Sequence, residues 1–280
     1  MPAVGRLRYL EALPRGIDRG RGTLRPAHRA PSESRGTLVL LHAFPLNARM
    51  WEPQLALADH GWRVVAPQLG GVDGGDEIPP PSSIDDYAGD VIDLLDALHV
   101  HEAVIGGLSM GGYVTLAMFR HAPRYFLGMV LADTRPQADT PEGLEGRKRL
   151  LRLAREQGAS AVADEMLPKL LSDATHRERS ELAEHVRGLI LSNSTESIGG
   201  AITALMTRPD STPLLSTIHC PTLILVGDED SVTPRALSED MQRAIAGSEL
   251  VVVPAAGHLS SMEQPAAFNE ALARFLGHRL

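Results

Sequence analysis

The chain alternates between short apolar runs and stretches in which apolar residues return every three or four positions. Residues 37–41, 62–66, 103–108, 127–132, 222–226 and 249–253 are runs rich in Val, Leu, Ile and Ala with polar or turn-forming flanks. Such runs predict strands buried on both faces. A polar–apolar alternation over 6–10 predicts one more strand at the start. Helical spacing marks 50–60, 84–98, 110–121, 234–246 and 265–276. The clearest case is 84–98, where Ile84, Tyr87, Val91, Leu94, Leu95 and Leu98 share one face. Strands alternating with helices predict an α/β fold, a mainly parallel sheet flanked by helices. The alternation lapses once. Residues 135–215 carry no strand pattern, only helical stretches near 144–157, 159–171, 177–192 and 195–207. An all-helical block between two strands of such a sheet reads as a lid. The expected organisation is a core of residues 1–134 and 216–280 with a helical insertion over 135–215. Segments 13–36 and 67–83, crowded with Gly, Pro and polar residues, are expected loops.

Composition narrows the function classes. At 280 residues and 43% hydrophobic content the chain can build one large α/β domain with an insertion. A net charge of −8 argues against a nucleic-acid partner, because phosphate binding needs a basic surface. The basic stretch 15–29 is interspersed with Gly and Pro. Cys220 is the single cysteine, so no internal disulfide can form, and a reducing compartment is expected. No apolar run reaches the length of a membrane span, and the N-terminus lacks the apolar core of a secretory signal. A cytoplasmic enzyme is the expectation. The oligomeric state stays open, a homodimer included. There is no His-x-x-x-His pair, no Cys cluster, no phosphate loop and no dinucleotide fingerprint, so neither metal nor cofactor is expected.

The chemistry gathers at three places. Gly107-Leu108-Ser109-Met110-Gly111 joins an expected strand to an expected helix and fits the G-x-S-x-G nucleophile elbow. An ordinary glycine-rich turn would read the same taken alone. A serine hydroxyl is a poor nucleophile without a base. His258 follows strand 249–253 on a Gly-flanked loop and can reach over the sheet. Strand 222–226 ends in Gly227-Asp228-Glu229-Asp230, where three acids compete to orient that histidine; Asp230 is the choice, with Asp133 at the end of strand 127–132 as a rival. The order Ser109, Asp230, His258 suits the α/β-hydrolase triad. An oxyanion needs backbone donors. Met110, after the serine, is one candidate, and Phe44, in the loop after strand 37–41, is the other. His42 reads as a brace of that loop and Trp51 as core. Within the insertion, Leu167, Leu171, Leu205 and Met206 are candidates to line a substrate pocket.

These pieces together resemble the α/β-hydrolase fold superfamily over nearly the whole chain. The matching segments are His42-Ala43-Phe44-Pro45, Gly107-Leu108-Ser109-Met110-Gly111-Gly112, Gly227-x-x-Asp230-x-x-x-Pro234 and Gly257-His258. The elbow and Leu131-Ala132-Asp133-Thr134 look most like the cluster of small carboxylesterases, 3-oxoadipate enol-lactonases and cofactor-free haloperoxidase-like enzymes. The resemblance implies hydrolysis of small carboxylic esters or lactones through an acyl-serine. N-acyl lactone hydrolysis, perhydrolysis, and a ligand-binding receptor built on the same fold are the alternatives. One position departs: the family usually has Gly where this chain has Ala43, which bears on the placement of the Phe44 amide. Ser109 sets the chain apart from the branches that use an Asp nucleophile.

Overall fold

A computed structural model describes residues 1, 3–4, 7–14, 34–70 and 80–278. Its centre is an eight-stranded sheet of order β1-β2-β4-β3-β5-β6-β7-β8. The strands are β1 (Ala3–Val4), β2 (Leu7–Ala12), β3 (Gly36–Leu41), β4 (Trp62–Pro67), β5 (Ala103–Leu108), β6 (Phe126–Ala132), β7 (Thr222–Gly227) and β8 (Glu249–Val253). Strands β1 and β2 run antiparallel at one edge, and β3 to β8 are parallel. The expected strand at 6–10 is therefore β2, starting and ending slightly later. Most of the expected loop at 13–36, the basic stretch with it, and residues 71–79 lie outside the described residues.

Strand side chains alternate between the two faces of the sheet, and the core divides accordingly. Val39, Leu41, Val65, Ile105, Met129, Leu131 and Ile224 pack on one face against α1 (Ile84–Ala97), α2 (Met110–His121) and α7 (Arg235–Ala244). Leu38, Leu40, Val64, Val104, Val130, Leu223 and Leu225 pack on the other. There they meet the helical segment Ala48–His60 and α9 (Pro265–His278), with Trp51 against Phe268 at 6.0 Å between ring centres. Trp51 is core, as its residue environment predicted. Ala48–His60 is wound as a 3₁₀ helix and contains Pro53, which lacks the N–H an α-helix needs there. Helix α1 starts at Ser83, whose hydroxyl accepts from Asp86 N while the Asp86 carboxylate accepts from Ser83 N, a reciprocal cap.

Between β6 and β7 the chain makes α3 (Pro141–Leu170), α4 (Asp173–Glu178), α5 (Ser180–Leu191) and α6 (Thr195–Thr207). The backbone of α3 breaks at Gly158 (φ 77°, ψ −171°), so it is two helical pieces, in line with the two separate stretches expected near 144–157 and 159–171. The short α4 and the four-residue α8 (Ser260–Glu263) were not legible as separate elements. No described helix is long and apolar enough to cross a membrane.

The cap of α1 yields a stability prediction. Ser83→Ala removes one side of the reciprocal pair and should cost about 1 kcal/mol in urea unfolding. An unchanged unfolding midpoint would show that the first turn of α1 contributes nothing to global stability.

Candidate active site

Strand β5 runs straight into α2 through Ser109, which sits at φ 54°, ψ −111°. Side chains avoid this backbone region, and the turn holds only because its neighbours lack them. A Cβ on Gly107 would lie 2.1 Å from the carbonyl carbon of Gly111, and one on Gly111 would lie 2.0 Å from the Leu41 carbonyl oxygen. Ser109 N donates to Ala132 O at 2.9 Å, and Ser109 O accepts from Gly112 N and from the Thr134 hydroxyl. The serine side chain is thereby pushed above the sheet, half-buried at the carboxyl ends of the strands.

The loops after β7 and β8 converge on it. His258 Nε2 lies 2.9 Å from Ser109 Oγ. His258 Nδ1 lies 2.9 and 3.1 Å from the two Asp230 oxygens. The three residues named from the sequence are thus connected in one relay. Asp230 also accepts from Val232 N, Thr233 N and the Thr233 hydroxyl. Burial pushes the Asp230 carboxyl up, but the charge and hydrogen bond of His258 and the Thr233 donors outweigh it, and its pKa lies below the usual value. Asp228 and Glu229 are exposed, and Asp228 accepts from Ala256 N. Asp133, the rival, is fully buried. Its oxygens are taken by Gly227 N at 2.8 Å and by the Ser260 hydroxyl. Burial and the nearby Asp230 charge drive its pKa well up. Thr233 and Ser260 gave no signal in the sequence, since a lone hydroxyl has no periodicity or spacing to betray it.

The loop after β3 supplies the opposite wall. His42 is buried and donates from Nδ1 to Ala43 O at 3.0 Å, while its Nε2 accepts from Leu69 N at 2.9 Å. Burial lowers its pKa to about 4, so the ring is neutral at pH 7. It braces the loop and does not reach the serine relay. The Ala43 N–H points to Met50 Sδ at 3.2 Å, and the Ala43 methyl packs with Leu46 and Met50 in the core. Asn193, at the α5–α6 corner, donates to Pro45 O and Leu46 O.

A small cavity of about 50 Å³ lies over Ser109 and His258. Phe44 and Met110, the two residues named for their amides, border it. Met110 N opens α2, where no helical carbonyl is available to it. The insertion contributes Met166, Leu170 and Leu205. Of the four insertion residues named from the sequence, Leu205 is therefore on the cavity. Leu167 and Leu171 pack into the core beside it, and Met206 is half-buried away from it. One residue along a helix turns the side chain by about 100°, so Met166 faces the cavity where Leu167 does not, and Leu171 lies past the end of α3, where the backbone is extended. Arg135 and Arg147 also border the cavity. Both hold Asp139, as does Arg208, which lies 4.4 Å over the Tyr113 ring. Asp139 would be raised by burial, but the arginines lower its pKa to about 2. Three guanidinium groups on one carboxylate leave a net positive wall. Among the described residues no group of three His, Cys, Asp or Glu is arranged to hold a metal ion.

The model of the alpha/beta hydrolase family matches residues 38–271. The chain belongs to this family. It is 29% identical to 3-oxoadipate enol-lactonase 2 of Acinetobacter baylyi over 238 residues, which cover 85% of this chain and 87% of that one. A solved thermophilic esterase from Thermogutta terrifontis, with malate bound, is 34% identical at a TM-score of 0.85, covering 97% and 93% of the two chains. The enol-lactonase of Burkholderia xenovorans shares the fold at a TM-score of 0.83 and 24% identity, covering 97% and 96%.

The neutral His42 makes stability depend on pH with a definite sign. The unfolded ring takes a proton near pH 6.5, whereas the folded ring refuses it until about pH 4. This hydrogen-bonded histidine therefore stabilises the fold fully above pH 6.5, and its contribution falls as pH drops through that window. The whole effect is at most about 3 kcal/mol. In urea unfolding between pH 7 and 5, the wild type should lose stability more steeply than His42→Gln. Equal slopes would show that His42 titrates freely in the folded protein.

Proposed function

We propose that the protein is a serine hydrolase that cleaves small carboxylic esters and lactones through an acyl-serine. The observation that carries this reading is the unbroken relay Ser109 Oγ, His258 Nε2, His258 Nδ1 and Asp230 beneath an open cavity. Ser109 Oγ attacks the carbonyl carbon as its proton passes to His258 Nε2. Asp230 holds the Nδ1–H and stabilises the imidazolium that forms. The oxyanion is received by the N–H groups of Met110 and Phe44. His258 then returns the proton to the leaving alkoxide, and the carbonyl re-forms as the acyl-serine. Water repeats the cycle, with His258 taking its proton, and the carboxylic acid leaves with Ser109 restored. No step calls for a metal or cofactor. The helices over 141–207 act as the cap of this site, supplying the apolar wall of Met166, Leu170 and Leu205. That wall, with Phe44 and Val232, suits a short to medium uncharged acyl chain.

A second reading is favoured by Arg135 and Arg147 in the same cavity wall. Arg135 Nε is buried with no partner among the described residues. A lactone or ester that carries its own carboxylate would satisfy it, and such a substrate would resemble that implied by the name of the Acinetobacter relative. A receptor using the same fold would show at most one slow turnover, whereas the reading here requires sustained hydrolysis.

Two measurements test the proposal. Asp230→Asn should lower kcat for p-nitrophenyl butyrate by about 10³–10⁴-fold, because Asn favours the wrong imidazole tautomer. Asp133→Asn should cost far less, and the reverse ranking would move the orienting acid to Asp133. The second compares kcat/KM across p-nitrophenyl acetate, butyrate and hexanoate with an anionic lactone. An apolar acyl site gains about 0.8 kcal/mol per CH₂, or roughly fourfold per carbon until it is full. If the anionic lactone is instead preferred, and Arg135→Ala removes that preference alone, the second reading replaces the first.

A further inference from the structure

Glu263 is a buried carboxylate outside the serine relay, 1% exposed. Its two oxygens serve two different parts of the molecule. Oε1 accepts from Gly257 N at 2.7 Å, in the residue before His258. Oε2 accepts from Ser172 N at 2.9 Å, at the junction of α3 and α4 in the insertion. Other contacts reinforce the same seam. Leu259 N donates to Leu170 O at 3.1 Å, and Arg179 donates to the Glu263 carbonyl at 2.5 Å. A Cβ on Gly257 would lie 2.7 Å from Ser172 N and 2.9 Å from the Leu171 carbonyl carbon. The loop that carries His258 therefore lies directly on the C-terminal end of α3. That same end presents Met166 and Leu170 to the cavity.

A buried carboxylate without a donor is costly, so both N–H groups are held firmly by it. We propose that Glu263 is a positioning residue that locks the base-bearing loop to the cavity wall. Through Gly257 it fixes the direction of His258 toward Ser109. Through Ser172 it fixes the depth at which Leu170 and Met166 close the acyl space. Base geometry and acyl selectivity are consequently set by one side chain. The inference rests on the hydrolase reading given above, with Ser109 and His258 as reacting groups.

Glu263→Gln keeps the shape but replaces one acceptor by an NH₂ group that must face a backbone N–H. Two changes are expected at 25 °C. The kcat falls roughly tenfold on p-nitrophenyl acetate, butyrate and hexanoate alike, the scale of one displaced charge-assisted hydrogen bond. The hexanoate-to-acetate ratio of kcat/KM also shrinks toward one. Gly257→Ala separates the same seam with Glu263 intact and should give both changes. A purely structural Glu263 would lower the unfolding midpoint and leave both readouts at wild-type values; a folded variant behaving so overturns the proposal. Hydrogen exchange on the wild type decides the matter if neither variant folds. The amides of Gly257, Leu259 and Ser172 should share one opening free energy, and unrelated values overturn the lock. A wild type with no ester or lactone hydrolysis would sink the hydrolase reading instead, and the exchange result would still report on the seam.

Discussion

Everything at the site depends on the absence of room around Ser109. The turn from β5 to α2 is so tight that the Leu41 carbonyl of the neighbouring strand fills the space a Gly111 side chain would need. Ser109 itself is held at a positive φ by its hydrogen bonds to Ala132, Gly112 and Thr134. Strain of this kind costs on the order of 1–3 kcal/mol and persists only where the surroundings over-determine it. Here those surroundings are two buried parallel strands, β3 and β6, on either side of β5. The sheet therefore fixes one hydroxyl in space, and the loops after β3, β7 and β8 are arranged around that point.

The His258 side of the site gathers three buried carboxylates, Asp133, Asp230 and Glu263, and separates them by their partners. Asp230 faces His258 and the Thr233 donors, which hold it in the charged form. Asp133 is driven toward its neutral form by burial and by the charge of Asp230. Glu263 meets backbone amides from the His258 loop and from the helices between β6 and β7. Like charges packed together in low dielectric repel strongly, and the pull of Asp133 toward its neutral form relieves that repulsion beside the charged Asp230. The division also suits a division of labour: Asp230 against the ring, Asp133 bracing β7 to Ser260, and Glu263 joining the His258 loop to the helices between β6 and β7.

Much of this was legible in the sequence. Runs of apolar residues located every parallel strand to within a residue or so, because strands buried on both faces need no phase to be recognised. The elbow, the Gly-flanked His258 and the loop of Asp230 were legible because each chemical residue sits at a strand end with its own spacing. Other features were not. Helical spacing reveals that 159–171 is amphipathic but not which neighbour it meets. For that reason Leu167 and Leu171 were named where Met166 and Leu170 face the cavity. The meeting of Arg135, Arg147 and Arg208 on Asp139 joins positions up to 73 residues apart, and no local pattern encodes it. Glu263 looked like an ordinary helical acid, since its two amide partners come from a loop six residues away and an insertion 91 residues away.

The central claim is that Ser109 carries the acyl group in turnover. Rapid acid quench of the wild type with p-nitrophenyl butyrate, followed by intact-protein and peptide mass spectrometry, tests it most directly. The account predicts a mass increase of one butyryl group during the burst of p-nitrophenol, located on the peptide containing Ser109 and absent from Ser109→Ala. Turnover with the acyl group on another residue, or with hydrolysis undiminished in Ser109→Ala, would contradict it.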